Sequence, residues 1–455
     1  MAEASVSRHG MWSSRLLFVL AAAGSAVGLG NIWKFPYIAG ENGGGAFVVV
    51  YLLCVVLVGI PIMMAEVLLG RSGRVSPINT MRKLVINAKA SPLWVLIGWM
   101  GALAGFLILS YYGVIAGWAL YYGVEMASGH FTGADAAAVS GTFDDFLANP
   151  WQLLFWQTLF MAMTIFIVAR GVVRGLEVAI RLFMPALFIL LVVLLGYAVT
   201  SGGFAEGFAF MFHFDWSALG VDGVLVALGQ AFFTLSLGMG AIMAYGAYMP
   251  ANSSIGSTVV SIASLDTLIA IVAGLAIFPI VFANALEPGE GPGLMFVTIP
   301  LAFAQMPFGA LFGTIFFVLV SFAAITSAIS LTEPALAYLV EQYNANRARV
   351  AISLGVICWL LGIGTVLSFN HWEQITLVGG QNFFGTVDYL SQNIMLPLGG
   401  LLIALFAGWV LPRMVTEEQL GSSPWVARFF LPLVRYVAPA CVLAVFAYTL
   451  YSSLT

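Results

Sequence analysis

The sequence has few charged residues and little that could hold a metal centre or a disulfide network. Only 8% of its 455 residues are charged, and it has three cysteines and four histidines. Cys54, Cys358 and Cys441 lie in apolar stretches without a CxxC spacing, so they predict neither a disulfide nor a metal site. The histidines fall in predicted loops or span ends and no HExxH motif occurs, which argues against an intramembrane enzyme. A channel filter of the TVGYG type is also absent from the sequence.

The small net charge argues against a nucleic-acid partner, and the high apolar content indicates a lipid environment. A formal net charge of −4 at pH 7 gives no basic excess for nucleic acid. No obligate protein partner is evident from the sequence. Hydrophobic residues make up 61% of the chain, and the mean hydropathy is +1.02. Since a soluble core does not need so much apolar surface, the chain is predicted to lie in a lipid bilayer.

Long apolar segments predict an all-α integral membrane protein of about eleven transmembrane helices. We expect a cytoplasmic tail over residues 1–11, spans 1–5 over 12–200, spans 6–10 over 221–411 and span 11 over 427–451. With the N-terminus inside, 15 of the 16 lysines and arginines fall at cytoplasmic span ends. This charge pattern predicts a multi-pass protein of the inner (plasma) membrane, with its N-terminus cytoplasmic and its C-terminus outside.

Two of the predicted spans contain segments that weaken a helix. Residues 24–31 read GSAVGLGN, and residues 234–240 read TLSLGMG. Glycine and small polar residues release backbone groups there, which the bilayer tolerates only where those groups line a polar cavity or a ligand. Paired broken helices in corresponding positions of two halves indicate the binding site of a secondary transporter.

Carboxylates inside predicted spans are costly unless they are paired or hydrated. Glu66 is expected to accept hydrogen bonds from amides freed at a broken helix, as structural support. Asp266 lies near the middle of its span and suits a sodium site or a proton relay; alternatively, it is a neutral acid bonded to a nearby hydroxyl. Glu333 precedes Pro334, so it is expected to satisfy backbone groups released at a kink.

Lys34 is the one basic residue outside the cytoplasmic pattern. It follows the first break by four residues, near the outer vestibule, and Asp388 in the tenth span is a plausible partner. Together they would form an outer gate. The alternative is that Lys34 extends its ammonium to the membrane interface without a partner.

Thr326 and Ser327 are adjacent hydroxyls among small residues of the eighth span. Hydroxyl oxygens can complete a hard-cation site together with carbonyls exposed at a helix break. Small residues of this kind are equally common where helices pack closely, so the spacing alone leaves both readings open.

Several motifs together resemble the neurotransmitter:sodium symporter family, in particular its bacterial amino-acid symporters. The motifs are GLGNIWKFP at 28–36, ENGGGAF at 41–47, GIP at 59–61 with Glu66, SYY at 110–112, QAFFTLSLG at 230–238 and Thr326-Ser327. The resemblance implies a five-plus-five inverted repeat, broken helices 1 and 6, and alternating access to a central site.

The resemblance also implies two sodium sites built from backbone and side-chain oxygens. The residues implied for the first site are Ala26, Asn31, Thr234 and Asp266. Those implied for the second site are Gly24, Val27, Ala323, Thr326 and Ser327. In chloride-dependent relatives an asparagine occupies the position of Asp266, so the carboxylate here is expected to replace chloride.

An amino-acid substrate is implied between the two breaks, with its carboxylate near the Leu29 and Gly30 amides and the Tyr112 hydroxyl. The implied substrate residues are Ala26, Leu29, Gly30, Ile108, Tyr112, Phe233, Thr234, Ser236, Met239, Ser327, Ser330 and Leu331. Because the side-chain subsite is mainly apolar and methionine is adaptable, we expect hydrophobic or aromatic L-amino acids.

Two further features are implied by the resemblance at the cytoplasmic side. Arg8 and Glu341 would form a cytoplasmic gate, although Arg8 lies four residues before Trp12, where the family has a spacing of three. Gly175 and Pro185 match a motif linked to local unwinding of span 5; alternatively, Pro185 simply bends the helix.

The sequence therefore predicts a sodium-coupled, chloride-independent amino-acid symporter rather than an enzyme. A non-transporting amino-acid sensor on the same scaffold is the alternative.

Overall fold

The computed structural model describes residues 11–287, 292–420 and 426–454, and these are mostly helical. Arg8 lies outside the described residues. Ten described helices are long and apolar enough to cross a membrane, and a bent pair at the N-terminal end makes an eleventh span. This confirms the predicted all-α membrane architecture.

Spans 1 and 6 each consist of two helices, and the other nine are long helical segments. In chain order the spans are Arg15–Ala26 with Gly30–Glu41, Gly45–Gly73, Pro92–Ser128, Pro150–Ala169, Val172–Val199, Trp216–Thr234 with Ala241–Ala247, Ile255–Ala283, Gly309–Tyr343, Arg347–Leu367, Phe383–Val410 and Arg428–Tyr448. Shorter helices connect them at Pro77–Asn87, Ala136–Ala148, Phe204–Phe212, Leu294–Ala304 and Arg413–Leu420. The end of the bundle that carries Arg71, Arg170 and Arg347 is called the basic face below.

Span 1 breaks where the sequence predicts it. The first helix ends at Ala26, Val27 has an extended conformation (φ −73°, ψ 97°), and the two halves meet at 75°. A β-carbon on Gly28 would lie 2.9 Å from Ser327 Oγ and 3.1 Å from Tyr112 Oη. Glycine at this position therefore lets the broken backbone approach spans 3 and 8.

Span 6 breaks over residues 235–240, between its two helices. Ser236, Gly238 and Gly240 have φ values of 54°, 80° and 72°. These left-handed conformations interrupt the helical hydrogen bonding, and glycine adopts them without steric cost. The Gly238 position is also crowded, because a β-carbon there would lie 2.3 Å from the Leu396 carbonyl oxygen.

Spans 3 and 8 are the longest segments, at 37 and 35 residues, and they pack closely against each other. Where they cross, a β-carbon on Gly105 would lie 3.0 Å from the Leu331 carbonyl oxygen. These two helices form a continuous wall beside the breaks in spans 1 and 6.

Span 5 is continuous from Val172 to Val199, with Pro185 inside it. The unwinding implied for Gly175 and Pro185 is therefore not present in this structure. Gly175 lies in a π-helical turn, where a β-carbon would be 2.1 Å from the Ile167 carbonyl oxygen. Met184 and Leu187, on either side of the proline, are fully buried.

Glu333 has a different role from the predicted one. Span 8 continues through Pro334 to Tyr343, and the fully buried Glu333 carboxylate pairs with Arg347 of span 9. Arg347 Nη1 and Nη2 lie 3.0 and 2.5 Å from the two carboxylate oxygens, and Tyr248 Oη donates to Oε1 at 2.7 Å. A buried, ionised carboxylate is stabilised more by a countercharge than by a hydrogen bond from the backbone. Glu333 therefore pairs with Arg347 rather than with backbone groups.

This ion pair predicts a specific stability pattern. We expect Arg347→Met to destabilise the protein by about 3–5 kcal/mol, because it leaves the Glu333 charge buried and unpaired. The double variant Glu333→Gln/Arg347→Met should recover much of that loss, since the buried charge is then absent. Thermal unfolding in detergent measures the stability of the single and the double variant. If the double variant is no more stable than Arg347→Met, the unpaired charge of Glu333 is not the cause of the destabilisation.

Candidate functional site

A small cavity lies between the breaks of spans 1 and 6 and is closed by spans 3 and 8. Its lining residues are Ser25, Ala26, Gly28, Leu29, Gly30, Asn31, Ile108, Tyr112, Phe233, Ser236, Met239, Ser327 and Leu331. Of the implied substrate residues, only Thr234 and Ser330 are missing from this lining, and both lie directly behind it. The structure therefore brings the implied residues of four separate spans to one place.

One end of the cavity is rich in hydrogen-bond donors. The Leu29 amide and the Tyr112 hydroxyl oxygen are 3.5 Å apart. The second half of span 1 begins beside them at Gly30, and Gly28, Leu29 and Gly30 at this helix N-terminus line the cavity. Backbone amides at a helix N-terminus attract an anion, such as the carboxylate of an amino acid.

A buried polar cluster lies next to these amides. Asn31 Nδ2 donates to Asp266 Oδ1 at 2.7 Å and to Thr234 Oγ1 at 2.8 Å, and the Thr234 hydroxyl donates to Asp266 Oδ2 at 2.9 Å. All three residues are at most 1% exposed. Among the described residues, no lysine or arginine pairs with Asp266. A buried carboxylate whose partners are the neutral Asn31 amide and Thr234 hydroxyl fits a bound cation, which would supply the missing countercharge.

A second oxygen cluster lies where the first half of span 1 ends. Ser327 Oγ is 3.4 Å from the Gly24 carbonyl oxygen and 3.3 Å from that of Val27. Thr326 Oγ1 is 2.9 Å from the Ala323 carbonyl oxygen. The Gly24 and Val27 carbonyls are available because the helix stops at Ala26. This donor set contains only uncharged oxygens, which suits a monovalent hard cation.

Ser25 has a role that sequence reasoning did not assign. Its hydroxyl lies 2.7 Å from Ser330 Oγ and 3.4 Å from Ser236 Oγ, and Ser236 in turn donates to the Ser25 carbonyl at 2.9 Å. These contacts join spans 1, 6 and 8 through three hydroxyls. The available signal was the position of Ser25 inside the first helix break, directly before Ala26.

Apolar side chains also line the cavity: Ile108, Phe233, Met239 and Leu331. Phe233 packs against the backbone of span 1, since a β-carbon on Gly30 would lie 2.5 Å from its Cε1 atom. The lining therefore combines polar groups with apolar side chains that suit a hydrophobic substituent.

Glu66 supports the second break directly. The Gly238 amide, which has left its helix, donates to Glu66 Oε1 at 2.7 Å, and Glu66 is fully buried. A carboxylate from span 2 thus satisfies a backbone donor that the interruption of span 6 releases.

The predicted direct pair between Lys34 and Asp388 is replaced by a bridge. Lys34 Nζ donates to Gln392 Oε1 at 3.4 Å, and the Gln392 amide group donates to the Asp388 carboxylate. In the described ranges no ion pair joins Lys34 to Asp388. Gln392 lies one helical turn after Asp388, so its amide fits between the two charges and bonds to both. Lys34 Nζ also lies 5.0 Å from the centre of the Phe233 ring.

Glu341, the other predicted gate residue, lies at the basic face. It accepts hydrogen bonds from the Ser76 amide at 2.8 Å, the Ser76 hydroxyl at 2.5 Å and Asn79 Nδ2 at 2.7 Å. These contacts fix the start of helix Pro77–Asn87 to span 8. The predicted pairing of Glu341 with Arg8 lies outside the described residues.

Comparison with known proteins agrees with this geometry. The chain matches the sodium:neurotransmitter symporter family over residues 9–132 and 127–454. It is 39% identical over 439 residues to the uncharacterized sodium-dependent transporter YhdH of Bacillus subtilis, covering 96% of each chain. It is 27% identical over 517 residues to the human sodium- and chloride-dependent GABA transporter 2, covering all of this chain and 82% of that one.

A solved structure shares the whole fold. The crystal structure of MhsT in complex with L-phenylalanine superimposes with a TM-score of 0.88 at 47% identity, covering 96% of this chain and 99% of MhsT. The motif resemblance found in the sequence is thereby confirmed. The chain belongs to the sodium:neurotransmitter symporter family, whose members are membrane transporters rather than enzymes.

Proposed function

We propose that this sodium-coupled transporter carries hydrophobic or aromatic L-amino acids, moves two sodium ions with each substrate and does not require chloride. The proposal rests on the position of the two clusters, one around Asp266 and one around Ser327. Both lie beside the same cavity, next to the breaks in spans 1 and 6. Family membership supplies sodium coupling itself. The substrate class, the number of ions and the independence from chloride are the proposed part.

The substrate would lie across the cavity with its charged groups at the breaks. Its carboxylate would meet the Leu29 and Gly30 amides and the Tyr112 hydroxyl, and its ammonium would meet carbonyls of Ala26 and Ser236. Half-helix N-termini thus face the anion and C-terminal carbonyls face the cation. The same assignment places the carbonyls of Phe233 and Thr234 in contact with the substrate ammonium.

The apolar end of the cavity supports a hydrophobic side chain. Ile108, Phe233, Met239 and Leu331 offer no charged partner to a polar substrate, and methionine adapts to side chains of different shapes. The MhsT complex with L-phenylalanine, at 47% identity, supports the same substrate class.

Asp266 supports chloride independence. Its carboxylate lies directly in the first oxygen cluster, 2.7 Å from Asn31 Nδ2. A fixed negative charge there balances a sodium ion without help from a bound anion. The GABA transporter 2 relatives are sodium- and chloride-dependent by name, so this position is where we expect the chain to differ from them.

The closed contacts at both ends of the bundle support alternating access. On one side, Gln392 links Lys34 to Asp388 above the cavity. On the basic face, the Glu333–Arg347 pair and Tyr248 tie spans 6, 8 and 9 together. Under the positive-inside rule the basic face is cytoplasmic, which gives a cytoplasmic N-terminus in an inner membrane.

Ion substitution tests the proposed coupling. In proteoliposomes with an inward sodium gradient, we expect concentrative uptake of L-phenylalanine and L-leucine from a panel of twenty amino acids. Uptake should stop when choline replaces sodium and stay unchanged when gluconate replaces chloride. With two sodium ions per zwitterion, a potential of 100 mV supplies about 4–5 kcal/mol, or roughly thousandfold accumulation.

Two results would contradict parts of this proposal. A strict chloride requirement would refute the role given to Asp266. Sodium-dependent binding with neither uptake nor counterflow would instead identify a sensor on this scaffold.

A matched pair of threonine variants tests the second sodium site. Thr326→Val removes a hydroxyl from the proposed cation cluster, so the sodium concentration for half-maximal uptake should rise about tenfold, equivalent to about 1.4 kcal/mol. Thr314→Val is the control, because Thr314 on the same helix also bonds to the carbonyl four residues earlier, at 2.6 Å. If both variants show the same sodium dependence, Thr326 is not part of the second sodium site.

A further inference from the structure

An apolar groove runs between spans 4 and 9 on the outside of the bundle. Span 4 contributes Thr158, Met161, Ala162 and Ile165, and span 9 contributes Ile352, Gly355, Val356 and Trp359. The span 9 residues follow the i, i+3, i+4, i+7 pattern of one helical face, so the groove is about 10 Å long. It takes no part in the central cavity.

The groove has a defined floor and a closed end. A β-carbon on Gly355 would lie 2.5 Å from Ile165 Cγ1, so glycine lets the two helices approach and forms the floor. At the end away from the basic face, Trp359 Nε1 donates to Thr158 Oγ1 at 2.8 Å. The groove therefore opens toward the basic face.

Two exposed arginines lie at that open end. Arg170 continues the row Thr158, Ala162 and Phe166 at four-residue intervals, and its guanidinium stacks 4.0 Å from the Phe166 ring centre. Arg349 lies three residues before Ile352 on the other wall. Arg347 Nε donates to the Val168 carbonyl at 2.9 Å, which brings the start of span 9 against the end of span 4.

Neither arginine side chain is neutralised by its surroundings. Within the described ranges, no hydrogen bond or ion pair joins the side chain of Arg170 or Arg349 to another residue. Two acidic residues on neighbouring helices are already engaged. Glu333 binds Arg347, and Glu177 accepts from Arg181 at 3.1 Å. Two unpaired cations thus lie where an apolar groove meets the membrane surface.

We propose that this groove binds an anionic phospholipid of the leaflet at the basic face. One acyl chain lies in the groove, and the phosphate lies between Arg170 and Arg349. Charge complementarity selects an anionic headgroup, because basic residues between helices at a membrane surface bind such headgroups, and the apolar walls accept the chain. The bound lipid braces the junction of spans 4 and 9, next to the Glu333–Arg347 pair.

Native mass spectrometry of the purified full-length protein tests the proposal. Phosphatidylglycerol and phosphatidylcholine with identical acyl chains are the two probes. We expect one phosphatidylglycerol to survive delipidation, with at least tenfold weaker retention of phosphatidylcholine. Arg170→Gln/Arg349→Gln should abolish that preference. Lys89→Gln/Arg413→Gln, which removes two exposed positive charges elsewhere, should keep it.

A second pair of variants tests the groove itself. Val356→Trp fills the groove and should release the retained lipid, whereas Val192→Trp on the exposed face of span 5 should not. Equal retention of the two lipids, or unchanged retention in Arg170→Gln/Arg349→Gln, would overturn the proposal. A dimer that Val356→Trp dissociates, with no lipid retained, would also overturn it and assign the groove to a second copy of the chain. None of these outcomes depends on transport activity.

Discussion

The structure depends on backbone groups that lose their helical partners in the middle of the bundle. Span 1 stops at Ala26 and span 6 stops at Thr234, and each resumes after a short non-helical segment. Unpaired amides and carbonyls at such depth cost several kcal/mol each unless something binds them. Part of that demand is met by the protein, as where Glu66 accepts from the Gly238 amide. Under the proposed function, cations and a zwitterion bound in the central cavity satisfy the remaining groups.

Charge balance explains how the site and the gates are related. Under the proposed function, the Asp266 carboxylate beside the cavity balances a sodium ion, and the carboxylate of the substrate lies next to that ion. Away from the cavity, two sets of buried or half-buried charged side chains are linked by protein groups. Glu333 binds Arg347 on one side, and Gln392 bridges Lys34 and Asp388 on the other.

Much of the site was predictable because glycine and small polar residues have a strong local effect on a transmembrane helix. The breaks at 24–31 and 234–240 and the buried Asp266 follow from residue type and position, whereas the assignment of Thr326 and Ser327 to a cation site came from the family resemblance. The errors concern contacts between distant segments. Glu333 was assigned to backbone groups because Arg347 is fourteen residues away and its approach depends on the turn between spans 8 and 9. Gln392 and Ser25 were missed because Lys34, Ser236 and Ser330, with which they bond, lie on other helices.

The most direct test of the account is an experimental structure of the protein with sodium and L-phenylalanine bound. We expect one cation held by the Ala26 carbonyl, Asn31, Thr234 and Asp266, and another held by the Gly24, Val27 and Ala323 carbonyls with Thr326 and Ser327. We also expect the amino acid to bind with its carboxylate on the Leu29 and Gly30 amides. A structure in which L-phenylalanine binds elsewhere, with both oxygen clusters still bonded only to protein groups at saturating sodium, would contradict it.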